Sequence, residues 1–236
     1  MVDQPLPAVS LLGEFAVTLQ IAHEVSHEVF EQITQWAAAI DAAPPVGLRE
    51  IVPAMVSLTA YFDPEKTTLT QIASAVLRLL PTENRVTATR NPVIEIPVCY
   101  GGTHGIDLND VSRHCGLSPA EVIHIHSSGE YRVHMVGFMP GFPYLGGMSE
   151  RIATPRRETP RTSIPPGSVG IGGRQTGIYP LESPGGWQLI GRTPWMLFEP
   201  QRVPPTLLVA GDRVCFRPIA VEEFERLARE VTCPSV

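Results

Sequence analysis

Hydrophobic positions recur along the chain with two different periods, and the alternation between them marks out its elements. FAVTLQI (15–21) places Phe15, Val17, Leu19 and Ile21 on one face, the period of a half-buried strand. From His23 to Ile40 the spacing lengthens, and Val25, Val29, Ile33, Trp36 and Ile40 trace one face of a helix. GLREIV (47–52) and MVSLTAYF (55–62) follow as extended runs joined at Pro53-Ala54. A second helix opens at Thr68, with Gln71 at the spacing that lets each side chain satisfy the other's backbone N–H. Leu69, Ile72, Ala73, Val76 and Leu80 form its apolar stripe, and Pro81 stops it. VIEIPV (93–98) supplies a last strand. The order β-α-β-β-α-β predicts a ferredoxin-like α+β domain over residues 10–92, with VIEIPV at its boundary.

Beyond Tyr100 the pattern changes. Asp107 and Gly116 bracket one short helix, and Ser118-Pro119-Ala120-Glu121 opens another with a capping box and proline in its first turn. YRVHMVGF (131–138) reads as a strand, and short strands punctuated by Gly and Pro run on to Phe216-Arg217-Pro218. Such frequent turns predict a barrel or sandwich over residues 93–220. Val221, Phe224, Leu227, Ala228 and Val231 then predict a closing amphipathic helix within 221–236. Eighteen of the 20 glycines lie after residue 100, which marks the same boundary.

Composition narrows the class. The 236 residues are 43% hydrophobic and 18% charged, the balance of a globular protein with a substantial core. The net charge of −6 argues against a nucleic-acid binder or a polybasic membrane anchor. Cys99, Cys115, Cys215 and Cys233 are far apart, and MVDQPLPAVSLLGEF lacks the basic and apolar regions of a signal peptide, so a reduced, cytoplasmic protein is expected.

Familiar catalytic motifs are missing. Lys66 is the sole lysine, so no phosphate-loop lysine exists, and GSVGIGG (167–173) matches neither a nucleophile elbow nor a dinucleotide loop. His124 and His126 form an H-x-H, but on a helix residues two apart diverge by roughly 200°, so no metal site is predicted. His126 reads either as a structural histidine or, at the helix end, as a cationic group lining a site. His134 and Arg132 share a strand face. Arg151, Arg156, Arg157 and Arg161 read as a solvated basic loop or, chiefly at Arg161, as an anion site. GFMPGFPYLGGM (137–148) and QTGIYPLESPGGWQ (175–188) space Phe138, Phe142, Tyr144, Tyr179 and Trp187 between Gly and Pro. The composition suits barrel corners, and equally a pocket that a ligand approaches closely along the backbone.

The three blocks YRVHMVGFMPGFPYLGGM, TPRTSIPPGSVGIGG and QTGIYPLESPGGWQLIGRTP resemble the signature blocks of the KipI/PxpB family, also called allophanate hydrolase subunit 1. EIPVCYGGTHGIDLNDVSRHCGLSPAEVIHIHS is similar to its linker and helical entry, and the resemblance runs from about Gly13 to Pro218. It implies a cyclophilin-like β-barrel behind the ferredoxin-like domain. It also implies the role of the B subunit in an ATP-dependent 5-oxoprolinase, which opens the lactam of 5-oxo-L-proline to L-glutamate. The implied partners are a homologous C subunit (allophanate hydrolase subunit 2-like) and an A subunit (LamB/YcsF-like). The implied cofactor is ATP, at a site shared with a partner. The family also includes a sensor histidine kinase inhibitor and urea carboxylase-type carboxyltransferase subunits, which stand as alternatives.

Carried onto the matching blocks, the resemblance implies a substrate wall of Gly141, Phe142, Tyr144, Thr176, Tyr179, Gly185, Gly186 and Trp187. Gln175, Arg161, Arg132 and His126 are the polar candidates for catalysis. Arg174 departs from the pattern, standing where a small residue precedes QTG, and is a candidate extra anion contact.

Overall fold

The computed structural model describes residues 6–80 and 92–230, and the chain divides into two compact units, Met1–Thr89 and Arg90–Val236. The first unit contains β1 (Ala8–Leu11), β2 (Ala16–Gln20), α1 (His27–Ala42), β3 (Leu48–Pro53), β4 (Ser57–Phe62) and α2 (Leu69–Leu79). Its sheet is antiparallel throughout, in the order β1-β2-β4-β3. Val17 and Leu19 of β2, with Leu58, Ala60 and Phe62 of β4, share one buried cluster with Ile33, Trp36 and Ile40 of α1 and Ile72 and Val76 of α2. Both helices therefore cover the same sheet face. On the other face the hydroxyls of Thr18 and Thr59 hydrogen-bond across the β2–β4 pair at 2.9 Å.

Local signals place most of these boundaries. The capping box at Thr68 and Gln71 is formed: Thr68 N donates to Gln71 Oε1 at 2.9 Å, and Gln71 N donates to Thr68 Oγ1 at 3.4 Å. Helix α1 starts at His27, later than the His23 read from periodicity, because the Ser26 hydroxyl caps it by accepting from Val29 N. Val25 consequently precedes the helix and is exposed. Phe15 is 52% exposed for a similar reason, standing one residue ahead of β2 rather than within it.

The strand expected to complete the βαββαβ order does not join this sheet. β5 (Val93–Tyr100) pairs instead within the second unit, and the sheet edge beside β2 is taken by β1, a strand that the periodicity did not mark. β1 and β2 are joined by only four residues, 12–15. So short a connection makes antiparallel pairing cheap in loop-closure entropy.

The second unit holds β5, α3 (Leu108–Cys115), α4 (Pro119–Ser127), β6 (Tyr131–Val136), β7 (Pro143–Gly146), β8 (Arg161–Ile164), β9 (Ser168–Gly172), β10 (Gln175–Ile178), β11 (Ser183–Gly185), β12 (Gln188–Arg192), β13 (Arg213–Pro218) and α5 (Val221–Glu230). Seven strands close a barrel in the order β10-β7-β6-β13-β5-β12-β9, parallel only at β13–β5. Closure leaves no unpaired sheet edge, which is how a chain of many short strands avoids edge association. Ile96, Val98, Val133, Leu145, Val169, Ile171, Ile178, Ile190, Val214 and Phe216 fill the interior. β8 and β11 form a separate two-stranded ribbon, with Arg161 opposite Gly185.

Helix α5 packs Phe224, Leu227 and Ala228 against Cys99 and Ile219, whereas Val221 is exposed and Val231 lies outside the described residues. Among the described residues, no helix is long and apolar enough to cross a membrane. None of their His, Cys, Asp and Glu side chains gather in threes as a metal site would require.

Candidate functional site

The glycine-rich segments do converge, but around the protein's own rings. Phe142 and Tyr179 are buried edge-to-face at 5.1 Å between centroids, and Trp187 stands at 89° to Phe142 at 5.5 Å. Tyr144 lies 4.8 Å from Phe142 and 5.9 Å from Trp187. The Phe142–Tyr179, Phe142–Trp187 and Tyr144–Trp187 pairs are edge-to-face, matching the positive edge of one ring to the negative face of the next. A Cβ on Gly172 would stand 2.5 Å from the Trp187 indole, and one on Gly185 would stand 2.5 Å from the Tyr179 hydroxyl. The glycines thus make room for side chains rather than for a ligand. Gly141 adopts φ +81 at the turn before Phe142, a conformation that suits glycine. Phe138, at φ 70 and 63% exposed, meets Phe142 edge-on.

His126, a candidate for catalysis, and Thr176, a candidate for substrate binding, meet inside the barrel unit. Both are fully buried. The Thr176 hydroxyl donates to the Gly170 carbonyl at 2.9 Å, so its oxygen accepts from His126 Nε2 at 3.0 Å. Nδ1 of the same ring then accepts from the Tyr100 hydroxyl at 2.8 Å. The ring is stacked on Phe216, and the Tyr131 hydroxyl donates to the His126 carbonyl at 2.7 Å. Burial lowers the imidazole pKa to about 3 and raises those of the Tyr100 and Tyr131 phenols. Of the two readings of His126, the buried, hydrogen-bonded neutral ring is that of a structural histidine. His124, two residues earlier, is exposed, as the helical geometry requires.

An open pocket of about 460 Å³ lies beside the aromatic cluster, lined by Asp110, His114, Thr154, Pro155, Arg156, Arg157, Glu158, Thr159 and Gln188. Asp110 and His114 come from one face of α3, four residues apart. Thr154 is held by a two-way backbone bridge to Gly173, and its hydroxyl donates to the Ile152 carbonyl at 3.1 Å. The Arg156 guanidinium lies 5.7 Å from the Trp187 ring centroid, within cation–π range. Arg157 N donates to the Gly186 carbonyl at 2.7 Å, which fixes the loop against the SPGG turn.

Behind this pocket sits Asp107. It occupies the N-cap position of α3 but makes no side-chain capping bond. Its Oδ2 accepts from Leu189 N at 2.7 Å, and its Oδ1 receives Arg161 at 2.6 Å and Arg157 at 3.4 Å. One buried carboxylate thus holds two guanidiniums, and the cluster carries a surplus positive charge.

Of the catalytic and substrate-wall candidates named from the sequence, none lines this pocket. Arg161, Gly186 and Trp187 stand behind it, touching Asp107, Arg157 and Arg156 respectively. Gly185 lies opposite Arg161, and Phe142, Tyr144 and Tyr179 are packed with Trp187. Gln175 on β10 and Arg132 on β6 are half-buried and outside the lining. Arg174 is 76% exposed in an ion pair with Glu150, so it is a surface residue. Asp107 and Gln188 escaped sequence reasoning. The signal for Asp107 was present only as a helix bracket, and nothing local reveals that its carboxylate points away from its own helix.

The family model for the carboxyltransferase domain, subdomain C and D, matches residues 7–208. This chain belongs to that family. It is 46% identical to the B subunit of 5-oxoprolinase from Bacillus subtilis (strain 168), over 93% of this chain and 95% of that protein. It is also 46% identical to the B subunit of 5-oxoprolinase from Escherichia coli O157:H7, over 88% of this chain and 94% of that one. Among solved structures, TTHA0988 superposes with a TM-score of 0.76 at 37% identity, covering 87% of this chain. This chain spans only 40% of that longer polypeptide.

Proposed function

We propose that this chain is the B subunit of a 5-oxoprolinase, acting with partner subunits to open 5-oxo-L-proline to L-glutamate with ATP. The observation that carries this reading is the 46% identity to a protein so named across nearly the whole of both chains. An unstrained lactam is a poor electrophile. Transfer of the γ-phosphoryl group of ATP to its oxygen would make the ring carbon open to water. Water addition and C–N cleavage would then leave an acyl phosphate, which a second water converts to glutamate and phosphate.

The pocket of the barrel unit supports a division of labour between chains. It offers guanidiniums and an amide, groups that bind and orient. The hydroxyl of Thr154, one of its two lining threonines, is committed to a backbone carbonyl. ATP and the catalytic base would be supplied where the partner C and A subunits complete the site.

The test is glutamate release from 5-oxo-L-proline and ATP by the assembled subunits, repeated with this chain omitted and with this chain alone. Turnover that requires every component is the expected result. Full activity without this chain, or from this chain by itself, would overturn the assignment.

A further inference from the structure

Three polar atoms beside the pocket are buried without a partner: Arg157 Nε, Arg161 Nη1 and Gln188 Oε1. They belong to one constellation. Both guanidiniums meet the Oδ1 of Asp107, and the backbone N–H of Leu189, adjacent to Gln188, meets its Oδ2. Gln188 Nε2 donates to the Pro155 carbonyl at 3.0 Å, which orients the amide and leaves Oε1 as an acceptor. The two arginines are not held equally. Arg161 binds Asp107 at 2.6 Å with its side chain 19% exposed, while Arg157 reaches it at 3.4 Å with its side chain 34% exposed. Arg157 is therefore the guanidinium able to turn toward a ligand while Arg161 keeps Asp107 paired. The acidic groups of the lining are Glu158 and Asp110, and Asp110 is in an ion pair with Arg113.

A ligand that satisfies this set must present an oxyanion to a guanidinium and a hydrogen-bond donor to Gln188. A simple carboxylate has no donor to give. Phosphate at neutral pH keeps an O–H and is the competing ligand. An amino acid whose nitrogen is closed into a lactam carries both groups on one carbon, and a five-membered ring fits easily within about 460 Å³.

We propose that this pocket binds the α-carboxylate and ring N–H of a lactam amino acid, with Arg157 on the carboxylate and Gln188 Oε1 on the N–H. Arg161 and Asp107 are positioning residues that hold the wall behind them. The choice of a lactam, and of 5-oxo-L-proline in particular, rests on the functional reading above, whereas the pocket's demand for an anion beside a donor does not.

Calorimetric titration of the full chain tests this with four probes. These are 5-oxo-L-proline, 2-pyrrolidinone (no carboxylate), 5-oxotetrahydrofuran-2-carboxylate (ring oxygen in place of N–H) and inorganic phosphate. The lactam acid binds best, and losing either group weakens binding by about tenfold or more, the usual effect of removing a charge-assisted or buried hydrogen bond. Arg157→Met abolishes the preference for the carboxylate, and Gln188→Met abolishes the preference for N–H over ring oxygen. Unchanged melting temperatures of both variants exclude unfolding as the cause.

In the assembled enzyme both variants raise the KM for 5-oxo-L-proline and leave that for ATP unchanged, and this readout decides the matter if the isolated chain binds none of the probes. Phosphate binding as tightly as the lactam acid, or binding and KM insensitive to both substitutions, overturns the proposal. An active assembly with unchanged KM values would refute the pocket and leave the 5-oxoprolinase reading intact. An inactive assembly in which this chain still binds the lactam acid through Arg157 and Gln188 would refute the reading and leave the pocket intact.

Discussion

Replacing Asp107 by alanine removes the one carboxylate around which this wall is organised, and the loss can be worked from its contacts. Breaking a buried ion pair from one side costs about 3–5 kcal/mol, because the remaining charge is left without compensation. Arg161 is 19% exposed, so water relieves part of that penalty and the lower end applies. Arg157 adds essentially nothing, since a 3.4 Å contact to a side chain 34% exposed is largely screened. The Leu189 N–H loses its acceptor in a buried position, which adds about 1 kcal/mol or more. The expected total is about 4 kcal/mol, a drop in melting temperature of about 8–16 °C for the barrel unit.

Urea unfolding of the full chain, followed by far-ultraviolet circular dichroism and tryptophan fluorescence, measures this directly. The double variant Asp107→Ala/Arg161→Met should be less damaged than the sum of the two single variants, because it also removes the orphaned guanidinium. A loss below about 1 kcal/mol, or strict additivity in the cycle, would refute the view that Asp107 organises the site.

Two further outcomes follow from the same structure. Burial holds the folded-state pKa of His126 near about 3, against 6.5 for the ordinary group, so below pH 6.5 the unfolded chain binds the proton that the folded chain refuses. Its contribution to stability is complete above pH 6.5 and is lost as pH falls toward 3, with a slope approaching about 1.4 kcal/mol per pH unit. Denaturation series from pH 7 to pH 4 on the native chain and on His126→Phe should differ by this slope, and identical pH profiles would contradict it. Gly172→Ala places a methyl carbon 2.5 Å from the Trp187 ring and forces the indole to move. It should cost about 1–3 kcal/mol and shift the tryptophan emission, whereas an unaltered spectrum and stability would show that the indole does not depend on that space.

What was legible in outline was the packing beside the candidate site. The Gly- and Pro-spaced aromatics do meet, because rigid turn-rich segments at barrel corners have few ways to pack. What the residues do there was less accessible. Gly172 and Gly185 read equally well as ligand approaches or as spaces for rings, and only the positions of Trp187 and Tyr179 decide between the two. His126 could be read locally as a structural histidine or as a cation at a helix end, and only the fold chose between them: the barrel interior withdraws the ring from water, and desolvation outweighs the helix terminus.

The sequence by itself determined the features whose physics is complete within a few residues. The Thr68–Gln71 and Ser118–Glu121 capping boxes, the alternation of Val17 and Leu19, and the glycine stop at Gly116 all involve partners no more than four positions apart or a single residue's own φ. Tertiary structure alone decided where β5 pairs, since a strand with apolar alternation is equally satisfied by either sheet and only the closed barrel offers it β12 and β13. It also decided the role of Asp107, whose partners stand 50, 54 and 82 residues away. A capping carboxylate and a buried anchor for two arginines are the same residue type at the same helix position. What separates them is the desolvated charge that folding brings to meet it.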